Sequence, residues 1–411
     1  MPNAFQYGWM GSTQRLLQVA KAFTSLGFEV TLIASDYSDR EIQGQIDSEF
    51  PGQVVRTSHS GSYPWFVDGV PALRRLWRGW WRLRGRPVYW LNVSEGWATR
   101  ITASTIGRLL LRAGNKRPSL VWGISAGLLE GGSAAERIAG YFDCPWVYEL
   151  HDPPLHAGLQ DTIASMDGRF RTLLDSAALI VTNSQTYERS LHANFDVPQA
   201  KLRTIFLTFA GTLGQWVAPT NEKLTVGHFG SMNGERSALP LLQNFVALTR
   251  REPSLAHRFE LIFAGEGSGI DEAIAYMEAN GLGAAIKYVG LVPKEQVNEL
   301  MKRCDALLII QPDESHLEIP GKLFETMRQL KPVLALMKRD CESAHILVES
   351  GLGLICQPGD NQVMQDVLST LFSKWQAGTM EQGANTDYIS EFSADYLPVH
   401  LSGAIAPLVA D

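Results

Sequence analysis

The chain has 411 residues, 45% of them hydrophobic and 19% charged, with a formal net charge of −7. That is too long for one compact core, and two domains of roughly 200 residues are expected. The acidic balance argues against nucleic acid. The four cysteines (Cys144, Cys304, Cys341, Cys356) lie far apart, with no CxxC and no nearby histidine pair. They argue against a disulfide framework or a zinc site and fit a reducing cytosol.

The N-terminus carries no signal-peptide pattern. Only Met1–Tyr7 precedes Gly8-Trp9-Met10-Gly11. The first strand is therefore either very short or the chain begins late. Gly8 and Gly11 read as an acceptor- or phosphate-facing loop, with Ser12-Thr13 as the cap of the helix that follows. Helix is then expected over Thr13–Leu26 and strand over Val30–Ala34.

The stretch from Pro71 to Trp90 deviates from everything around it. It holds six arginines, four tryptophans and no acid, leaving −13 for the rest of the chain. Arg74, Arg78 and Arg82 fall on one helical stripe; Leu73, Trp77, Trp80 and Arg84 fall on another. Arginine and tryptophan together suit the headgroup layer of an anionic membrane, with Trp81 beside them. An internal helix whose tryptophans pack on the domain is the plain alternative. No apolar run reaches the ~18 residues of a membrane span.

Strands are expected next at Leu120–Trp122, Trp146–Leu150, Leu179–Thr182 and Leu202–Phe206. The helices between them are Ala98–Arg112, Ser133–Tyr141, Asp161–Ser176 and Ser184–Asn194. At the end of one strand stands Tyr148-Glu149-Leu150-His151-Asp152-Pro153-Pro154. Polar residues at a strand's carboxyl end point towards ligand in such folds. His151 and Asp152 would position an acceptor hydroxyl or a donor sugar. Equally, Asp152 would cap the turn before the prolines while His151 packs.

Thr208–Asn221 is rich in Gly, Pro and Thr, lacks periodicity and reads as an interdomain hinge. The second half repeats the rhythm. Its strands are Thr225–Phe229, Glu260–Phe263, Ile286–Val289, Ala306–Ile310, Pro332–Leu336 and Leu354–Cys356. Its helices are Leu239–Arg250, Ile270–Asn280, Lys294–Arg303, Leu323–Leu330 and Asn361–Phe372. Strand followed by helix, repeatedly, implies parallel sheets covered on both faces. The expected domains are 1–207 and 222–385. A tail, 386–411, would pack back on the first.

Three loops of the second half carry chemistry. After its first strand, Gly227 to Arg236 offers backbone amides at Gly230 and Ser231 and a cation at Arg236. After the second, Ala264-Gly265-Glu266-Gly267-Ser268-Gly269 has the spacing GxGxG, not the dinucleotide GxGxxG. It suits contact with the base or sugar of a nucleotide better than a nicotinamide cofactor. In "EIPGKLFETMRQLKPVLAL" a helix opens on Pro320-Gly321. Gly321 admits close backbone approach, Lys322 supplies charge, and Glu325 is placed to accept from a ribose diol. A plain loop-to-helix turn with a solvated Lys–Glu pair serves as well.

These stretches together resemble a family. "HFGSMNGER", "LIFAGEG", "VGLVPKEQVNELMKRCDALLII" and "EIPGKLFETMRQLKPVLAL" are similar, in order and spacing, to the donor domain of GT-B glycosyltransferases of the retaining family 4 type. "LLQVAKAFTSLGFEVTLIAS", "PWVYELHDPP" and "LIVTNSQTYERSL" look like its acceptor domain. The resemblance implies two doubly wound Rossmann-like domains facing across a cleft. It implies a retaining transfer from a nucleotide-sugar, with no metal or other cofactor and UDP favoured over GDP. Glu325 would bind the ribose, and Gly321 and Lys322 would lie near the diphosphate with Gly230 and Arg236 opposite. Gly265 and Glu266 would complete the donor site. His151 would contact the donor sugar. Many members carry two glutamates in this stretch; here Leu317 holds the place of the first, next to Glu318. The variant resembles polysaccharide-assembly enzymes. It points to a lipid-linked or other cell-surface glycan acceptor, and to a cytoplasmic enzyme peripheral to the inner face of the membrane. A sugar-nucleotide epimerase or hydrolase on the same fold, or a non-catalytic glycan- or lipid-binding scaffold, are the alternatives.

Overall fold

The computed structural model describes residues 11–35, 40–57, 106–107, 116–125, 129–153, 160–217, 222–380 and 383–409. Gly8, the arginine–tryptophan stretch and most of the expected helix Ala98–Arg112 lie outside them. The described chain divides into two units, one of 11–206 with 397–409, the other of 207–396.

In the first unit α1 (Gly11–Ser25) leads to β1 (Thr31–Ser35), α2 (Arg40–Glu49) and β2 (Gln53–Thr57). β1 and β2 pair in parallel. The sequence reading has no counterpart for α2 and β2: both are short, and β2 is followed by the arginine–tryptophan stretch. Ser12 and Thr13 lie inside α1, which among the described residues runs from Gly11.

β3 (Val121–Ser125), α3 (Glu130–Phe142), β4 (Trp146–Leu150), α4 (Gln160–Ser176), β5 (Leu179–Thr182), α5 (Gln185–Phe195) and β6 (Leu202–Thr204) follow. The four strands form one parallel sheet in the order β3-β4-β5-β6. Every residue of β4 and β5 is buried. Such continuous apolar strands belong to the middle of a sheet covered on both faces.

The second unit holds β7 (Leu224–Phe229), α6 (Leu239–Arg251), β8 (Phe259–Ala264), α7 (Ser268–Ala279), β9 (Ile286–Gly290) and α8 (Lys294–Arg303). These precede β10 (Ala306–Ile310), α9 (Gly321–Met327), β11 (Val333–Leu336), α10 (Glu342–Glu349), β12 (Gly353–Cys356), α11 (Asn361–Gln376) and α12 (Thr386–Ser390). Its six parallel strands run β12-β11-β10-β7-β8-β9. From β7 the chain builds outward on one side and from β10 on the other. The strand order therefore reverses between β7 and β10. In doubly wound sheets ligands bind beyond the strand ends at that switch point. Phe245, Phe259 and Phe372 pack against one another beneath the sheet, with ring centroids 4.4 Å apart for the first two.

Two boundaries differ from expectation. The hinge expected at Thr208–Asn221 is anchored over its described part: Phe209 is buried and exchanges backbone hydrogen bonds with Phe392 and Ala394. A composition poor in periodicity hides its apolar anchors, Phe209 and the core-packed Trp216. Helix α9 starts at Gly321, two residues before the expected Leu323, and stops at Met327. It stops early because Leu330 adopts a left-handed backbone, φ 56°. The C-terminal stretch is split: Thr386–Tyr396 stays with the second unit. α13 (Leu397–Val409) lays Leu397, Leu401 and Ile405 against Val19 and Phe23 of α1 in the first.

Candidate active site

The carboxyl edge of the first unit's sheet carries a buried polar network. β4 places Glu149 and then His151, which are 1% and 4% exposed. His151 is fixed by its backbone N–H donating to the Ser125 carbonyl across the β3–β4 edge, 2.9 Å. Its Nε2 lies 2.9 Å from Glu149 Oε1. On the same oxygen Arg15 of α1 donates its Nε–H at 2.7 Å. Trp122 of β3 donates its indole N–H to the other carboxylate oxygen at 2.6 Å. Arg15 reaches on to the backbone carbonyls of Phe206 and Ile205. Burial by itself would raise the Glu149 pKa. The Arg15 charge, with the bonds and charge of His151, outweighs it and holds the carboxyl at about 2. Asp152, half-buried, has no ion-pair or hydrogen-bond partner among the described residues.

Sequence reasoning placed His151 but missed Arg15, Glu149 and Trp122 as its support. Arg15 sits on an amphipathic helix, where an arginine reads as solvated. Its partner is 134 positions away.

The carboxyl edge of the second unit's sheet is built differently, from loops that leave room for backbone. After β7, Gly230 has φ 128° and donates its N–H to the Ala264 carbonyl. After β8, Gly265 has φ 154° and donates to the Gly290 carbonyl. A Cβ on Gly265 would stand 2.1 Å from the Gly230 carbonyl oxygen. Only glycine permits the two loops to meet there. The Met232 N–H donates to the Glu266 carbonyl, and Tyr288 of β9 donates its hydroxyl to the Gly265 carbonyl. Ser231 and the Glu266 side chain are exposed.

Lys322, in the first turn of α9, brings its Nζ to this seam, 3.7 Å from where a Cβ on Gly230 would lie. Gly321 beside it is exposed. Burial first, and the nearby Arg236 charge second, push the Lys322 pKa from 10.5 down to about 7. His228 of β7 lies fully buried under the same cluster. Its Nδ1 donates to the Leu308 carbonyl, and its Nε2 has no partner. Burial, then Lys322, and more weakly Arg236, hold it neutral, well below the usual histidine range. Lys322, with the Arg236 charge near it and glycine-lined backbone beside it, suits a diphosphate.

One turn along α9, the Glu325 carboxylate is within ion-pair distance of Arg328 Nε, 3.3 Å, though out of line for a hydrogen bond. Arg328 in turn donates to Asn298 Oδ1 at 2.8 Å. The Glu318 backbone closes the preceding turn, its N–H bonding the Ser315 carbonyl and its own carbonyl accepting from Gln311. Gly230, Arg236, Gly265, Lys322 and Glu325 are thus placed on the loops and helix of one sheet edge. His151 and Asp152 stand on the sheet edge of the other unit. Among the described residues no group of histidine, cysteine and carboxylate side chains could hold a metal ion.

Residues 10–207 match the glycosyl transferase 4-like domain. The chain is 27% identical over 135 residues to a probable glycosyltransferase, WbjE, of Pseudomonas aeruginosa. That match covers 33% of this chain and 31% of WbjE, about a third of each. Among solved structures it is similar to a glycosyltransferase from Rickettsia africae ESF-5. That pair is 13% identical, covers 98% of this chain and 96% of the other, and has a TM-score of 0.65. It is also similar to HepE of Anabaena in complex with UDP-glucose: 16% identical, 98% and 97% covered, TM-score 0.63. The first part of the chain thus matches a glycosyl transferase 4-like domain, and the whole chain has the fold of these solved glycosyltransferases.

Proposed function

We propose that the protein is a retaining glycosyltransferase that moves a sugar from a nucleotide-sugar, UDP-linked by preference, to a lipid-linked or other cell-surface glycan. The observation that carries this reading is the buried Lys322, with the Arg236 charge near it, beside the Gly230 and Gly265 loops that follow β7 and β8. Charge builds on the diphosphate as its bond to the sugar breaks. Fixed cations and backbone N–H groups stabilise that charge more than they stabilise the intact donor, which is what lowers the barrier. Glu325 accepts from the ribose hydroxyls, and Arg328 holds its carboxylate in place. His151 contacts the sugar, and Asp152 lies beside it. The departing diphosphate takes the acceptor proton on the face it leaves, so the anomeric configuration is kept. UDP-glucose bound to the similar HepE supports a UDP-sugar donor.

The acceptor reading includes a membrane. No helix among the described residues is long and apolar enough to cross one. The Arg74, Arg78, Arg82, Trp77, Trp80 and Trp81 cluster would lie against an anionic headgroup layer at the cytoplasmic face. Sedimentation with anionic liposomes should capture the wild type and lose a variant with those three arginines changed to Glu. Equal sedimentation would reject the membrane reading.

The test of the main reading is a panel of nucleotide-sugars, scored by thermal shift and then by transfer to glycan acceptors. A donor that raises the melting temperature and is turned over only with an acceptor present supports the transferase. Consumption of donor without acceptor would favour an epimerase or hydrolase instead. Proton NMR of the product's anomeric centre tests retention.

A further inference from the structure

Glu149 accepts from three donors at once. Arg15 Nε–H and Trp122 Nε1–H have no other role available to them, since neither group carries a lone pair there. Both carboxylate oxygens are thus committed as acceptors in a site almost closed to solvent. A buried carboxylate held this way stays ionised, and the low pKa of the group agrees with that. The third neighbour, His151 Nε2 at 2.9 Å, must then also be a donor. His151 Nδ1 makes no hydrogen bond to the described residues and is not a sealed-off atom.

We infer that Glu149, clamped by Arg15, is a positioning residue that fixes His151 in the Nε2–H tautomer and so presents Nδ1 as a hydrogen-bond acceptor for a substrate hydroxyl. The Arg15 charge matters as much as its geometry. It offsets the carboxylate, so Glu149 orients the imidazole without serving as its lone counter-ion. No proton changes hands: His151 accepts a hydrogen bond and aligns one hydroxyl of the sugar or acceptor. In this use the inference rests on the glycosyltransferase reading; the tautomer itself does not.

The test is the 15N shift pair of His151 in the intact protein at mildly alkaline pH, where the two tautomers of a neutral imidazole are distinguished directly. A protonated Nε2 and a bare Nδ1 are expected in the wild type. Trp122→Phe removes a donor from the far oxygen and leaves Arg15 and His151 in place, so it should keep the tautomer. Glu149→Gln must turn an NH2 group towards a donor on one side or the other. It should scramble the tautomer and lower kcat by about 10- to 100-fold, the range usual for groups that orient a functional histidine. A purely structural role predicts that the two variants behave alike. A wild-type Nδ1–H tautomer, or Glu149→Gln with the tautomer and kcat both unchanged, would overturn the inference. If Glu149→Gln does not fold, the wild-type and Trp122→Phe spectra still decide. Failure of the wild type to transfer any sugar would sink the enzymatic reading and leave the tautomer result standing.

Discussion

The two sheet edges handle charge in opposite ways. At the first unit's edge each buried charge has a partner: Arg15, Glu149 and His151 form one closed set, capped by Trp122. At the second unit's edge Lys322 and Arg236 have no carboxylate in ion-pair distance among the described residues, and the Arg236 charge raises the cost of charging Lys322. A closed set fixes geometry and changes little when a ligand arrives. An open pair of cations has electrostatic energy to release to an anion. Under the proposed function the contrast fits orientation at the first edge and anion binding at the second, and it can be broken at either end.

The largest effect is expected at the closed set. Glu149→Gln leaves Arg15 buried without a counter-charge and should cost about 3–5 kcal/mol of stability by denaturant titration. Adding Arg15→Met should return much of that loss. The same network sets an acid limit. The Glu149 carboxyl titrates near about 2 when folded against 4.5 ordinarily. Its stabilisation is complete above 4.5 and lost as pH falls towards 2, so Glu149→Gln should flatten the acid side of the stability profile. An unchanged profile would remove Glu149 from the account.

At the open edge, Lys322→Ala should lower transfer by about 100-fold or more without lowering the melting temperature, because it also removes a buried charge that costs stability. Wild-type turnover would contradict the site. A smaller and more specific effect is the pH dependence of nucleotide binding. Lys322 titrates at about 7 in the free protein, and a bound diphosphate raises that value. Affinity should be flat below pH 7 and then fall by up to about tenfold per pH unit above it, until the bound-state pKa is passed. Calorimetry in buffers of different ionisation enthalpy should register the proton taken up. The sign for folding is opposite. The unfolded chain binds this proton more tightly, so the cost of the lysine to folding is full below about 7 and shrinks as pH rises towards 10.5.

The smallest effect is expected where α9 ends. Leu330 holds a left-handed backbone that disfavours any residue with a Cβ by roughly 1–2 kcal/mol. Leu330→Gly should relieve this. Some is given back through lost burial and a freer unfolded chain, so the net gain is at most about 1 kcal/mol.

What the sequence exposed and what it hid follow from range. The common sheet edge of Gly230, Gly265, Arg236, Lys322 and Glu325 was legible because they stand on loops, or on the helix α9, that follow apolar strands, where spacing carries the information. Lys294–Arg303 and Ala306–Ile310 match their expected bounds because their periodicity is strong. The network of Arg15, Trp122 and Glu149 was hidden because three separate segments build it, and each residue looks ordinary in its own segment. His228 reads as part of a small-residue loop until its Nε2 is seen buried below Lys322 and Arg236. Leu330 gave no sign at all, since leucine seldom takes a left-handed backbone.

The central claim is that the second unit's electropositive edge binds the diphosphate of a nucleotide-sugar. Titrating UDP into the wild type and into Lys322→Ala by calorimetry tests it most directly. Saturable binding to the wild type with proton uptake above pH 7, weakened at least about tenfold in the variant, is the predicted result. Equal affinity in both proteins, or no binding of UDP or GDP to the wild type, would contradict it.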